Sequence, residues 1–127
     1  MDKSIVYYEC LNDAVYASYD IPINKNWWTD DKINLVNLDS CSDGLQFQLV
    51  HESINQSLAV LLVIDSRNGI SIHGLIQLIN LLKKQNHDLI WIGEHDFAHK
   101  AVTMAHGVQI QEITDLKAAV LDWIRES

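Results

Sequence analysis

The chain has 127 residues, of which 48% are hydrophobic and 20% charged, and its formal net charge is −8. This length is typical of one folded domain, and a composition with one proline and five glycines argues against a low-complexity linker. No basic cluster exceeds Lys83-Lys84, so the chain lacks the positive patch that nucleic acids and anionic membrane surfaces require. The segment from Met1 to Val6 has no signal-peptide pattern, and Cys10 and Cys41 lack metal-ligand spacing, which favours a cytoplasmic protein with free thiols.

Two β-prone runs open the chain, from Ser4 to Glu9 and from Ala14 to Ile21, with the turn-forming pair Asn12-Asp13 between them. This arrangement predicts an antiparallel hairpin. The second run is expected to end at Pro22, because proline cannot donate a hydrogen bond to a sheet ladder.

The next segment, from Asn24 to Lys32, is predicted to be a loop that carries Trp27 and Trp28. Two adjacent tryptophans in a loop cannot readily be buried in the same way. We therefore expect one of them to cover the core and the other to be a candidate contact for a partner, although core packing also accounts for at least one.

The middle of the chain changes to an alternation of strands and helices. Ile33 to Leu38 alternates apolar and polar residues, which predicts a strand, and a helix is predicted from Leu45 to about Gln56. The unbroken apolar run from Leu58 to Ile64 stops at Asp65. Its length and its β-branched residues indicate a strand buried on both faces at the centre of a parallel sheet.

The same alternation continues to the end of the chain. A helix from Ile72 to Leu82 has apolar residues at the i, i+3, i+4, i+7 spacing of one buried face. Asp88 to Gly93 predicts a short buried strand, Phe97 to Ala105 a helix, Val108 to Ile113 a last strand and Leu116 to Ile124 a final helix.

These elements predict an α/β domain with a mixed, mostly parallel sheet, an N-terminal antiparallel hairpin and helices packed on the sheet faces. The strand from Leu58 to Ile64 is expected to be central. The residues expected in the core are Val60, Leu62, Ile64, Ile79, Ile90, Ile92, Val120 and Trp123.

Two antiparallel strands followed by three β-α units resemble the STAS fold of SpoIIAA-like proteins, the sporulation anti-anti-sigma factors. The segment from Ile113 to Ile124 is similar to the family's closing strand and its D-L-x-x-A-x-x-W-L helix. Val63-Ile-Asp65, followed by Gly74-Leu75 at a helix start, resembles the family's regulatory loop. The resemblance implies a non-enzymatic regulatory or binding domain. Regulatory members carry a phosphorylated serine or threonine before the glycine, where this chain has His73, so we expect constitutive binding.

The only dense polar cluster near the central strand follows its carboxyl end, where doubly wound sheets usually build their sites. This cluster predicts a loop that binds a protein partner or a ligand. Its candidate residues are Asp65, Ser66, Arg67, Asn68, Ser71, His73 and Gly74. A second interpretation is an ordinary polar turn in which Ser71 caps the following helix.

A histidine-rich segment offers a different hypothesis. His95 and His99 lie four residues apart on one predicted helix face, as in many zinc sites, and would serve a metal-assisted hydrolase. However, Thr103 and His106 continue the same polar face, which is typical of a solvated helix. We therefore predict no metal site and no cofactor. The chain also lacks a Walker loop, a Rossmann glycine fingerprint and a nucleophile elbow.

Two further alternatives stay open. A small-ligand or lipid carrier would need an apolar pocket between the sheet and the Ile72 to Leu82 helix. A receiver-like phosphoacceptor domain would need an acidic pair after the first strand, and the sequence offers only Asp39 followed by Ser40. The partner could thus be a protein or a small apolar ligand, and a homodimer is compatible with the sequence. No integral membrane segment is predicted, because no apolar run is long enough.

Overall fold

A computed structural model describes residues 2–11, 22–30, 32–42, 44–67, 69, 71–93, 111–112 and 115–126. Its strands are β1 (Asp2–Glu9), β2 (Ile33–Asp39), β3 (Ser57–Asp65), β4 (His87–Ile92) and β5 (Gln111–Glu112). Its helices are α1 (Gly44–Asn55), α2 (Leu75–Leu82) and α3 (Leu116–Glu126), with a 3-10 turn at Lys25–Trp27. Three predicted features lie outside the described residues: the strand over 14–21, the helix over 97–105 and the histidines His95, His99 and His106.

The strands form one sheet in the order β2-β1-β3-β4-β5, and every neighbouring pair is parallel. The predicted α/β class is therefore confirmed, with β3 in the middle of the sheet as expected. This strand order is a common one for doubly wound sheets, in which the order reverses between β1 and β3. Ligands bind such sheets outside the carboxyl ends of the strands near that reversal.

The predicted N-terminal hairpin is wrong, because β1 is an interior strand. It pairs in parallel with β2 along Lys3–Glu9 and with β3 along Asp2–Glu9, so both of its edges are occupied. An antiparallel neighbour therefore has no edge of β1 to pair with. Within the described residues the sheet has no antiparallel pair, which is the start on which the likeness to the STAS fold depended. Ile5 and Val6 are fully buried on opposite faces, as expected for an interior parallel strand.

Each face of the sheet carries its own hydrophobic cluster. Residues of α1 and α2 pack on one face, and residues of α3 together with Trp27 and Trp28 pack on the other. Every residue predicted to be in the core is buried, namely Val60, Leu62, Ile64, Ile79, Ile90, Ile92, Val120 and Trp123. The apolar periodicities therefore located the core on both faces correctly.

Helix α2 begins three residues later than the apolar pattern predicted. Gly74 precedes it with φ of 77°, a left-handed conformation that an α-helix cannot include. Gly74 is the N-cap residue and no side chain caps the helix, so Ser71 does not have the capping role that was considered for it. By contrast, the Asp115 carboxylate accepts a hydrogen bond from the Ala118 amide at 3.1 Å and caps α3.

Two expectations about the whole chain can also be compared with the described residues. Cys10 and Cys41 are both free thiols, the first buried and the second exposed. Among the helices described here, none combines the length and the apolar character that crossing a bilayer requires.

The position of the core can be tested with two leucines of β3. Leu62 is fully buried, so Leu62→Ala should lower the free energy of unfolding by roughly 2 to 5 kcal/mol. Leu58 lies on the same strand but is 55% exposed, so Leu58→Ala should lower the free energy of unfolding far less than Leu62→Ala does. Urea denaturation measures both variants, and equal midpoints would contradict this assignment of the core.

Candidate functional site

The Asp65 carboxylate lies at the carboxyl end of β3 and is fully buried. Its Oδ1 accepts hydrogen bonds from the backbone N–H and from Nε of Arg67, both at 3.0 Å. Its Oδ2 accepts from the second guanidinium nitrogen of Arg67 at 2.8 Å and from the Tyr7 hydroxyl at 2.5 Å. A carboxylate offers about four lone-pair sites, so these four donors saturate it.

These contacts shift the pKa values of all three groups. Burial alone raises the pKa of Asp65, but the hydrogen bonds from Arg67 and Tyr7 outweigh it and hold the pKa below its usual range. Burial, with the hydrogen bond to Asp65 as the second cause, raises the pKa of the Tyr7 phenol. The hydrogen bonds to Asp65 raise the pKa of Arg67. The site is therefore a charged pair with a neutral phenol donor.

Ser66 extends this ordered region toward β4. The indole N–H of Trp91 donates to Ser66 Oγ at 2.9 Å, and the Ser66 amide donates to the Ile92 carbonyl at 2.9 Å. Gly93 follows β4 with φ of 106°. A Cβ at this residue would lie 2.8 Å from both Ser66 Oγ and the backbone nitrogen of Arg67. The backbone around Ser66 thus packs directly on a glycine. Ser66 and Asp65 are structural supports of the loop, because both are buried.

Two consecutive tyrosines of β1 hold the two ends of the β3–α2 loop, residues 66–74. Tyr7 donates to Asp65 before the loop, and Tyr8 donates to the His73 carbonyl at 2.5 Å near its other end. Consecutive strand residues point to opposite faces, and these two belong to the two separate core clusters. The loop is therefore fixed on both sides of the sheet.

Backbone hydrogen bonds add to this attachment. The Cys10 amide donates to the Asp65 carbonyl at 2.8 Å, and the Ser71 amide donates to the Leu11 carbonyl at 3.2 Å. The chain that follows β1 thus runs alongside the β3–α2 loop. These bonds satisfy backbone groups of the loop, which reduces the number of conformations available to it.

The loop borders a groove between α1 and α2 through His73 and Gly74. The Arg67 side chain is 51% exposed, the His73 residue is exposed and Ser71 is half-buried, whereas Asn68 lies outside the described residues. The groove has a volume of about 360 Å³. It is lined by Ser42, Gly44, Phe47, Gln48, His51, His73, Gly74, Gln77, Leu78 and Leu81.

The spacing of these residues explains how two helices form one groove. On α1 the lining residues Gly44, Phe47, Gln48 and His51 follow the i, i+3, i+4, i+7 pattern of one helix face. The Phe47 ring lies so close to Gly74 that a Cβ there would meet its Cε1 and Cε2 atoms at 2.8 and 2.9 Å. Glycine is therefore required at residue 74 for packing as well as for its positive φ.

The groove does not lie between the sheet and α2, where a lipid carrier would need its pocket. The sheet-facing side of α2 consists of Leu75, Leu78, Ile79 and Leu82, which are buried against the strands. The space between the sheet and α2 is thus filled with side chains. The groove instead opens on the side of α2 that faces α1.

The two tryptophans are not part of this groove. Trp27 and Trp28 are both half-buried and pack against the cluster on the opposite face of the sheet. The sequence did not identify Tyr7, Tyr8 or Gly93 as parts of the site. The two adjacent tyrosines near the end of β1 were the available signal in the sequence. They were assigned to a strand of the predicted hairpin instead of to the site.

Within the described parts of the chain, no group of three or more His, Cys, Asp or Glu residues could hold a metal ion. The prediction that His95 and His99 form no metal site stays a prediction, because both residues lie outside these parts.

A scan against protein-family models, a search of curated proteins and a search of solved structures each found no match. The described residues define a parallel α/β fold with a groove between α1 and α2 at the carboxyl edge of the sheet. The resemblance to the STAS family stays a prediction.

The Asp65–Arg67 pair predicts how the stability of the fold depends on pH. In the wild type the lowered pKa stabilises the fold above about pH 4, and this contribution is lost as the pH falls through the folded pKa. Arg67→Ala removes the two side-chain donors but keeps the backbone N–H of residue 67 and the Tyr7 hydroxyl on Asp65, so it should lower the free energy of unfolding by about 1 to 3 kcal/mol at pH 7. The pKa of Asp65 should then be lowered less than in the wild type, so the stability of this variant should rise less steeply as the pH increases from 3.

Urea denaturation between pH 3 and pH 8 measures this effect. The matched control is Arg125→Ala, because Arg125 pairs with Asp122 on the surface, where the side chains are 73% and 60% exposed. An exposed pair contributes little, so the control should keep the wild-type profile. If Arg67→Ala also keeps that profile, the pair does not stabilise the loop as described.

Proposed function

We propose that this chain is a non-enzymatic binding domain whose contact surface is the β3–α2 loop together with the α1–α2 groove. The observation that carries the proposal is the saturated carboxylate of Asp65. It occupies the end of the middle strand, where an α/β protein of this type would place a reactive group. With four donors on its two oxygens and no exposure, it is not available as a base, a metal ligand or a phosphate acceptor.

The same contacts favour constitutive binding. The loop is held by Tyr7 at one end and by Tyr8 at the other. A surface that is ordered before it meets its partner avoids the entropic cost of ordering on binding. His73 occupies the position where regulatory STAS proteins carry a hydroxyl, so the proposal includes no phosphorylation of that residue. The STAS resemblance supports only this general mode, binding through the loop after β3.

The exposed residues adjacent to the groove are proposed to make the contact. His73 is exposed on the groove, and its carbonyl, not its ring, accepts the hydrogen bond from Tyr8. His73→Ala therefore removes the imidazole from the surface and keeps the loop attached. Ser71 contributes its amide to the loop, so Ser71→Asp should leave binding nearly unchanged.

Native mass spectrometry of the protein purified from its own cells tests the proposal. The wild type should carry a bound component, and His73→Ala should carry less of it, because the variant has lost part of the contact surface. Asn80→Ala is the control, since Asn80 is exposed on α2 but does not line the groove. The proposal fails if neither the wild type nor the control carries a component, or if His73→Ala retains it fully.

A second experiment distinguishes binding from phosphoacceptor chemistry. Incubation with acetyl phosphate and Mg²⁺ should add no covalent phosphate to the wild type, because every lone pair of the Asp65 carboxylate already accepts a hydrogen bond. Intact-protein mass spectrometry measures the product, with Asp65→Asn as the comparison. Phosphate on the wild type but not on Asp65→Asn would favour the receiver-like alternative over this proposal.

A further inference from the structure

We infer that the α1–α2 groove binds an uncharged small molecule that joins an aromatic or apolar body to a carboxamide-like edge. This inference rests on the proposed function and specifies the ligand of the same site. The volume of about 360 Å³ lies within the range of small-molecule sites. Such sites combine apolar walls with a few polar groups that orient the ligand, and this groove has both.

The apolar wall consists of Phe47, Leu78 and Leu81. Leu78 also belongs to the core and is 1% exposed, so this part of the groove is anchored to the sheet. The Phe47 ring packs on Gly74, which fixes a flat aromatic surface beside the groove. A planar or apolar ligand body can bury its surface against these side chains.

The charge of the lining selects the ligand. Among the residues that the structure describes, no Asp, Glu, Lys or Arg side chain lines the groove. A charged ligand group would therefore be desolvated without an oppositely charged partner, which is unfavourable. The net charge of −8 further disfavours an anion. The lining thus favours a neutral ligand.

The polar groups of the lining indicate the hydrogen-bonding edge of the ligand. Gln48 and Gln77 come from the two opposite helices, and each amide offers two donors and one carbonyl acceptor. A carboxamide presents the complementary pattern, with a donor and an acceptor side by side. His51 and His73 add ring nitrogens that can donate or accept. An amide edge can therefore be bound from either helix.

Gly44 provides a variant that closes the groove. A Cβ at this residue would meet no atom within 4 Å, although Gly44 lines the groove. Gly44→Leu should therefore place its side chain in the open space without disturbing the core. Asn80→Leu is the matched control, because it adds an uncharged leucine at an exposed residue of α2 outside the groove.

The experiment is a titration of ¹⁵N-labelled protein with benzamide, followed by NMR. Benzamide should shift the amide resonances of residues 44–51 and 73–81 in a saturable way. Benzoate and benzamidine have similar shapes but carry opposite charges, and each should bind about tenfold more weakly, because the lining cannot pair either charge.

The variants locate the binding. Gly44→Leu should abolish the benzamide shifts, and Asn80→Leu should preserve them. Gln77→Ala should weaken the binding of benzamide about five- to tenfold, because one hydrogen bond is lost. This variant tests the inference independently if Gly44→Leu does not fold. The inference is overturned if benzamide does not shift the groove residues, if benzoate or benzamidine binds equally well, or if neither Gly44→Leu nor Gln77→Ala has an effect. Should the native protein nevertheless carry a component that depends on His73, only the ligand class is wrong and the proposed function stands.

Discussion

The interaction on which the carboxyl edge depends is the ion pair between the buried carboxylate of Asp65 and the half-exposed side chain of Arg67. A carboxylate with no solvent contact is tolerated only when donors replace its hydration. Arg67 supplies three of these donors from only two residues away, so the chain must turn back immediately after β3. That turn places Ser66 against Trp91 and against the backbone of Gly93. The path of the loop is therefore set by the need to neutralise one carboxylate.

The fold shows which structural features were accessible from the sequence. The middle strand, the three described helices and the core were predictable, because their apolar periodicity reflects burial at each residue. The first strand was assigned to a hairpin because Asn12-Asp13 is a strong local turn signal. Its pairing with β2 and β3 depends on residues more than twenty-five positions away. The unbroken hydrophobic run from Ile5 to Tyr8, all of which is buried in the structure, was the signal in the sequence that β1 is an interior strand.

The sequence directed attention to the loop after β3, but the contacts that its residues make were not accessible. Nothing in the local sequence shows that Asp65 would bind Tyr7, because that contact exists only once β1 lies beside β3. The groove was also unpredictable, because it depends on how α1 and α2 sit relative to each other. Nothing in the sequence marks Gly44 or Gly74 as part of a groove. In the structure the space beside Gly44 is open, and Gly74 accommodates the Phe47 ring.

The ion pair and the groove are linked through a single strand. Tyr7 contacts Asp65 on one face of the sheet, and Tyr8 contacts the backbone of His73 on the other. Because the two tyrosines are neighbours in β1, the geometry of the loop at Asp65 and the wall of the groove at His73 share one rigid support. The lowered pKa of Asp65 keeps its carboxylate charged throughout the neutral pH range. The charge of this support therefore does not change with pH near neutrality, which agrees with the constitutive binding that we propose.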